Sequence, residues 1–242
     1  MAVFLMAVAQ NASAAVPAWT NKTVEEVVPP LLAGLGLEDM PRITMRWERG
    51  DLPKGVRIVE SQVHRDEVLV TMTGAWRRYS PEARSQLVRN LAHELAHVWQ
   101  WSLGDPYEPL LLHEGFAEAI AVNILARCRD VCRASPERLV MTLEDQCRHA
   151  LRKGRVGSLQ DRDAIYGCGG VLADSMSVAA QMSPQDFYQR LTETERTMGD
   201  FLAIAEQFAG RRFALSARTF LTADLRLASA STTMARLRAG RL

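Results

Sequence analysis

The chain has 242 residues, of which 48% are hydrophobic and 24% are charged. This composition is typical of a globular protein with enough apolar residues for a full core. The formal net charge of +1 excludes a strongly basic or acidic chain, so the overall balance gives no indication of nucleic acid or of an acidic partner. No internal repeat or low-complexity linker divides the sequence, and we predict a single domain over residues 15–242.

The first segment has the features of an export signal. Residues 2–9 are apolar, and Ala12-Ser13-Ala14 has the small-x-small form of a signal peptidase site. No basic residue precedes the apolar run, since the first charge is Lys22, as expected for a truncated signal. The alternative is an apolar first helix of a cytosolic protein. We predict a signal peptide over residues 1–14 and a periplasmic or secreted protein without stable membrane insertion, because no run of about 18 apolar residues follows.

Residues 23–74 predict a short helix followed by a small sheet. The helix covers residues 23–35 and is expected to be interrupted by Pro29 and Pro30. Three short segments rich in β-branched residues and separated by turn formers are predicted to be strands. They are residues 42–49, 55–63 and 67–74. Residues 64–67 would join the last two strands as a hairpin.

The rest of the chain predicts mainly helices. Ser80, Pro81 and Glu82 have the order of an N-cap, a first helical residue and a first-turn acid, and this helix should end near Gly104. Further helices are predicted over residues 108–128, 136–152, 163–181 and 184–208, with one more near the end. The fold class is therefore α+β, with a small N-terminal β-sheet followed by a mainly helical part.

Four cysteines are confined to the helical part. They are Cys128, Cys132, Cys147 and Cys168. An even number of cysteines agrees with an oxidising compartment, where up to two disulfides could form with three possible connectivities. The CRDVC spacing is not the CxxC of a zinc ribbon, so we predict a structural role as disulfides.

The helix after Ser80 carries the main candidate site. His93-Glu94-Leu95-Ala96-His97 is an HExxH motif. Residues i and i+4 share one face of a helix, so both imidazoles would point to one place, as zinc binding requires. Glu94 could then accept a proton from water and pass it to a leaving amine.

The surroundings of the motif favour a metal over coincidence. Apolar residues cover most faces of this helix, so it should be buried, and a buried His-Glu-His set needs polar partners. The alternative is a pair of core histidines satisfied by ordinary hydrogen bonds. A third ligand is available in LLHEGFAEAIA, where Glu114 and Glu118 share a helix face. One carboxylate could bind the metal while the other orients a histidine.

HExxH followed by an apolar-x-Glu-Gly-Phe-Ala segment resembles the gluzincin metallopeptidases, which include thermolysin and the zinc aminopeptidases. The resemblance implies a zincin-like fold and one Zn²⁺ per chain, with Glu94 as general base. It implies the following ligands and outer partners: His93, His97 and Glu114 as ligands, and Glu118 and His113 in contact with ligand histidines. His113 stands where that family often has Asn, so it could contact a ligand histidine in this way or lie close to the metal itself.

A second match lies at AIYGCGGVLADSM. It resembles the Tyr-x-Lys-Gly segment of zinc aminopeptidases, which implies that Tyr166 donates to the oxyanion of the tetrahedral intermediate. The lysine is missing here, and the alternative is a core tyrosine at the start of a helix.

The resemblance covers residues 68–176 and leaves the specificity open. The chain has no room for the large β domain of the aminopeptidases and lacks their Gly-x-Met-x-Asn segment, so endopeptidase activity is an equal alternative. In zincins an edge strand before the HExxH helix holds the substrate backbone, and residues 67–74 are the candidate by position.

Three functions follow as hypotheses. The first is an exported zinc metallopeptidase acting on a peptide or protein. The second is a non-catalytic zincin-fold binding or scaffold protein, and the third is a zinc hydrolase of a non-peptide amide bond. Nothing in the sequence indicates an oligomeric state.

Overall fold

The computed structural model describes residues 15–48, 50–156, 161–222 and 230–239. The predicted signal peptide, residues 1–14, lies outside this part of the chain. The helices and strands follow one another in this order: α1 Ala18–Leu35, β1 Arg42–Glu48, β2 Arg57–His64, β3 Glu67–Gly74, α2 Pro81–Ser102, α3 Leu110–Arg127, α4 Arg129–Cys132, α5 Pro136–Leu151, a π-helical turn Asp163–Cys168, α6 Gly169–Ala180, α7 Pro184–Thr192, α8 Met198–Ala209, α9 Arg211–Thr222 and α10 Ala230–Ala239. The predicted α+β class is confirmed at this coarse level.

The three strands form one sheet in the order β1-β3-β2. β3 pairs parallel with β1 and antiparallel with β2, and the β2–β3 hairpin closes at His64 and Glu67 as predicted. The prediction that residues 67–74 form an edge strand is wrong. β3 lies in the centre because the hairpin turns back between β2 and β1, and chain order alone does not determine spatial order. β2 is the edge strand on the side of the candidate site.

α1 differs from its prediction because it is not interrupted. It runs from Ala18 to Leu35 with Pro29 and Pro30 inside it. The two missing N–H groups leave the carbonyls of Glu25 and Glu26 without helical donors, but these residues are exposed, so water can replace the bonds. Burial of Val27, Val28, Leu31 and Leu32 on the other face stabilises the continuous helix.

α2 forms as expected and lies at the centre of the molecule. The Ser80 side chain accepts a hydrogen bond from the Ala83 N–H at 3.1 Å, and Pro81 occupies the first helical position. Nearly every residue from Leu87 to Gln100 is buried, between the sheet on one side and α1 and α3 on the other. A helix in this position holds its polar side chains rigidly.

The C-terminal helices depart from prediction at their ends. The predicted helix over residues 184–208 is divided into α7 and α8, because Arg196 has a left-handed φ of 58° and Thr197 starts α8 with a capping box to Asp200. Two helices, α9 and α10, follow where one was predicted. No helix in the described ranges has the length and apolar character needed to cross a membrane.

Both disulfides form, which settles the pairing. Cys128 bonds to Cys132 at the end of α3, and Cys147 of α5 bonds to Cys168 at the end of the π-helical turn. The second disulfide fixes the start of α6 to α5. The buried apolar residues form one cluster that joins the sheet, α1, α2 and the C-terminal helices.

Candidate metal centre

His93 and His97 lie one turn apart on the same face of α2, opposite Glu114 of α3. The His93 Nε2 atom lies 3.1 Å from His97 Nε2 and 3.2 Å from Glu114 Oε2. His97 Nε2 lies 3.1 Å from the same carboxylate oxygen. Both histidines are buried. The three predicted ligands therefore converge on one point and could hold a metal ion.

Gln100 determines how the His97 ring faces this point. The Gln100 side-chain nitrogen donates to the His113 carbonyl oxygen at 3.0 Å, so its oxygen faces His97 Nδ1 at 2.7 Å. His97 Nδ1 therefore carries the hydrogen, and the Nε2 lone pair points at Glu114. Burial lowers the pKa of His97, which favours this neutral ring. The lone pairs of His97 Nε2 and Glu114 Oε2, whose atoms lie 3.1 Å apart, repel each other unless a cation lies between them.

The spacing and charge of the cluster also fit a metal. Ligand atoms in a tetrahedral zinc site with bonds of about 2.0–2.1 Å lie roughly 3.4 Å apart, and the three atoms here are separated by 3.1–3.2 Å. Burial opposes charge on His93, but Glu118, Glu114 and Glu94 outweigh burial and raise the pKa of His93 to about 9. Burial opposes ionisation of Glu114 as well, yet the adjacent His93 and His97 side chains hold the pKa of its carboxyl well below the usual range. The cluster thus attracts a cation.

Glu118 lies beside His93. Its Oε1 atom is 3.5 Å from His93 Nδ1 and 3.6 Å from the Arg89 guanidinium. Among the described residues, neither His93 Nδ1 nor Glu118 Oε2 has a hydrogen-bond partner. A small rotation of either side chain would form the Nδ1–H bond to carboxylate that usually orients a metal-binding histidine.

His113 lies against His97. Its ring stacks on the His97 ring at 4.5 Å between centroids, and its Nδ1 lies 2.8 Å from Glu108 Oε1. Glu108 is completely enclosed and also accepts a hydrogen bond from Tyr188 and faces Arg196 at 3.6 Å. Burial opposes the charge of Glu108, but hydrogen bonds from His113, Tyr188 and the backbone lower its pKa to about 2. His113 therefore contacts His97 by stacking and is held in place by a buried anion.

Glu94 lies beside His93, His97 and Glu114 but does not belong to this converging set. Burial is the main cause of its raised pKa, which brings the carboxyl closer to the range where it can both take and give a proton. Asn90 donates to Glu94 Oε1 at 3.3 Å, and Ser61 of β2 donates to the Asn90 side-chain oxygen at 2.7 Å. The edge strand thus orients the candidate base.

Tyr166 lies beside His93, with 5.5 Å between ring centroids. It belongs to the π-helical turn, a local geometry found often at functional sites. Burial and the negative charge of Glu114 raise the pKa of Tyr166, so the phenol keeps its proton and can donate a hydrogen bond. The Tyr166 side chain is half-buried at the wall of a cleft.

A pair of glycines brings Tyr166 close to Glu114. A Cβ atom on Gly115 would lie 2.4 Å from the Gly169 carbonyl carbon, and one on Gly169 would lie 2.3 Å from the Leu111 carbonyl oxygen. α3 and the start of α6 therefore touch backbone to backbone. This contact sets the distance between the helix that carries Glu114 and the turn that carries Tyr166.

Two connected hollows expose the cluster to solvent. A cleft of about 750 Å³ runs along β2 and reaches His93, Glu94 and Tyr166, and we call it the β2 cleft. A second pocket of about 370 Å³ reaches His97, Glu114 and His113 and is walled by Trp101, Pro106 and Leu110. Trp101 thus lines this second pocket.

Three polar residues of the site were not predicted from the sequence. They are Asn90, Gln100 and Ser61. Asn90 precedes Glu94 by four residues and Gln100 follows His97 by three, so helical spacing could have identified both. Ser61 could not be found, because it depends on how β2 packs against α2.

The chain matches no protein-family model, and no curated protein matches it significantly. Any assignment of function therefore depends on the site itself.

Proposed function

We propose that this protein is an exported zinc metallopeptidase with a zincin-like fold and the gluzincin ligand set His93, His97 and Glu114. The observation that carries the proposal is the convergence of these three side chains within 3.1–3.2 Å of one another, with Glu94 and Tyr166 beside them. Two imidazoles and one carboxylate are the donor set of catalytic zinc in peptidases.

When bound, zinc supplies a lowered pKa for a coordinated water and polarisation of the substrate carbonyl. Glu94 takes a proton from the attacking water and delivers it to the leaving amine. Its raised pKa supports both halves of that transfer. The Tyr166 phenol remains protonated and donates to the oxygen on which negative charge develops.

The substrate lies along β2 in this proposal. β2 pairs only with β3 among the described residues, so its outer backbone edge is open for strand addition. Ser61 connects this strand through Asn90 to Glu94, so the strand that would hold the peptide also orients the base. β2 replaces residues 67–74, the strand that the sequence suggested.

The open β2 cleft supports an enzyme over the scaffold alternative, because a binding protein needs no solvent route to the ligand cluster. The third hypothesis, hydrolysis of a non-peptide amide, uses the same groups, and no observation favours it. Export is supported by the two disulfides, which persist in oxidising compartments.

The test compares wild type with Glu94→Gln and Glu114→Gln. We expect about one zinc per chain in wild type and in Glu94→Gln, with hydrolysis of a mixed peptide library only by wild type. Glu114→Gln should bind zinc more weakly because it removes a ligand charge. Equal hydrolysis by wild type and Glu94→Gln, or zinc binding unchanged in Glu114→Gln, would refute the proposal.

A further inference from the structure

The β2 cleft contains two arginines in different electrostatic settings. The Arg89 guanidinium lies 3.6 Å from Glu118 Oε1 and is neutralised by it. Arg162 is exposed in the same cleft, and within the described ranges no carboxylate pairs with it. Asp161 and Asp163, its chain neighbours, are engaged by Lys153 at 2.9 Å and 3.6 Å. Arg162 therefore presents a free positive charge to the cleft.

The guanidinium of Arg162 lies over the ring of Tyr166, 5.2 Å from its centroid. Tyr166 in turn lies beside His93, so the free charge is one side chain away from the candidate reaction centre. A guanidinium on an aromatic face keeps its N–H groups available at the edge, where they can bind a carboxylate through two parallel hydrogen bonds.

The backbone that carries Arg162 is fixed at both sides. The Asp161 side chain accepts a hydrogen bond from the Ala164 N–H at 2.9 Å and binds Lys153. Cys168, at the other end of the π-helical turn, is bonded to Cys147 of α5. The backbone of Arg162 is thus anchored close to that of Tyr166.

We propose that Arg162 binds a carboxylate of the substrate next to the bond that is cleaved, so that the enzyme prefers acidic peptides. The inference depends on the proposed peptidase function. The carboxylate belongs to an Asp or Glu side chain or to the C-terminus of a short peptide, and the test separates these sources. Glu60 of β2 lines the same cleft and would favour basic peptides. The Arg162 guanidinium lies against Tyr166, next to the candidate reaction centre, so Arg162 determines the charge preference in this proposal.

Binding is measured in the Glu94→Gln background, where peptides are not consumed. Fluorescence anisotropy of labelled peptides compares Glu- or Asp-containing sequences with their Gln or Asn counterparts, each with a free and an amidated C-terminus. We expect the acidic or free-acid member to bind about tenfold more tightly, in line with one charge-assisted hydrogen-bonded pair in a partly open cleft. Arg162→Gln should remove this ratio, and Arg162→Lys should keep part of it.

Arg46→Gln is the matched control, since Arg46 is an exposed arginine on β1, at the opposite edge of the sheet. It should leave the ratio unchanged. A ratio that persists in Arg162→Gln, or a preference for basic peptides that disappears in Glu60→Gln, would overturn the inference. Arg162-dependent binding without hydrolysis by wild type would refute the peptidase proposal and leave the carboxylate site intact. Hydrolysis by wild type without any preference for acidic peptides would support the peptidase proposal and refute the carboxylate site.

Discussion

Gly115→Ala should separate the two halves of the site. The new Cβ would lie 2.4 Å from the Gly169 carbonyl carbon and 2.6 Å from its Cα and oxygen, all backbone atoms that cannot rotate away. Since carbon atoms in contact stay about 3.5 Å apart or more, α3 and α6 must separate by roughly 1 Å. Overpacking of this kind costs about 1–3 kcal/mol. The better helix propensity of alanine returns at most about 1 kcal/mol, so we expect a net loss of roughly 1–2 kcal/mol.

The same displacement moves Glu114 away from the turn that carries Tyr166. A shift of about 1 Å between groups that act together can lower catalysis by about 100-fold, a larger effect than the loss of stability suggests. Urea unfolding followed by circular dichroism measures the stability, and peptide hydrolysis at saturating zinc measures the activity. Gly199→Ala is the control, since its Cβ would meet nothing closer than the Thr197 hydroxyl oxygen at 3.4 Å. If Gly115→Ala matches this control in both assays, the glycine contact does not set the geometry.

Two further predictions concern stability. Glu108→Gln should lower the free energy of unfolding most above pH 4.5 and progressively less as the pH falls toward about 2. The reason is that folding lowers the pKa of Glu108 from 4.5 to about 2. The stability that its charge contributes is therefore present above pH 4.5 and is lost between these two pH values. Urea titrations of metal-free protein at several pH values measure this, with the exposed Glu193→Gln as control, and a deficit independent of pH would contradict it. Replacing Cys147 and Cys168 together by alanine should cost about 3 kcal/mol, because the disulfide closes a loop of 21 residues. An unchanged urea midpoint would refute this.

Local patterns predicted which side chains of the candidate cluster share a helix face, whereas the meeting of Glu114 with His93 and His97 was implied only by the family resemblance. Two histidines at i and i+4 converge on any helix, and Glu114 and Glu118 share a face for the same reason. The start of α2 was predictable because Ser80 and Pro81 act within one turn. These parts of the site depend on residues that are close in the chain.

The parts that could not be predicted depend on packing between distant segments. The place of β3 in the sheet is decided by which strand the hairpin pairs with, not by the residues of β3. The continuity of α1 across Pro29 and Pro30 is decided by burial of its opposite face, which local propensity does not include. Ser61 and Arg162 belong to the site only because β2 and the π-helical turn form facing walls of one cleft.

The π-helical turn gives the site an unusual sensitivity to chain length. A π turn contains one residue more than the α turn it replaces, since its hydrogen bonds join residues five apart instead of four. Deleting one residue between Tyr166 and Gly169 would let the turn relax to an α-helix, and each residue of an α-helix turns by about 100°. Tyr166 and Arg162 would then rotate together out of the cleft while the glycine contact stayed in place. The positions of the Tyr166 and Arg162 side chains therefore depend on the number of residues in the turn as much as on which residues they are.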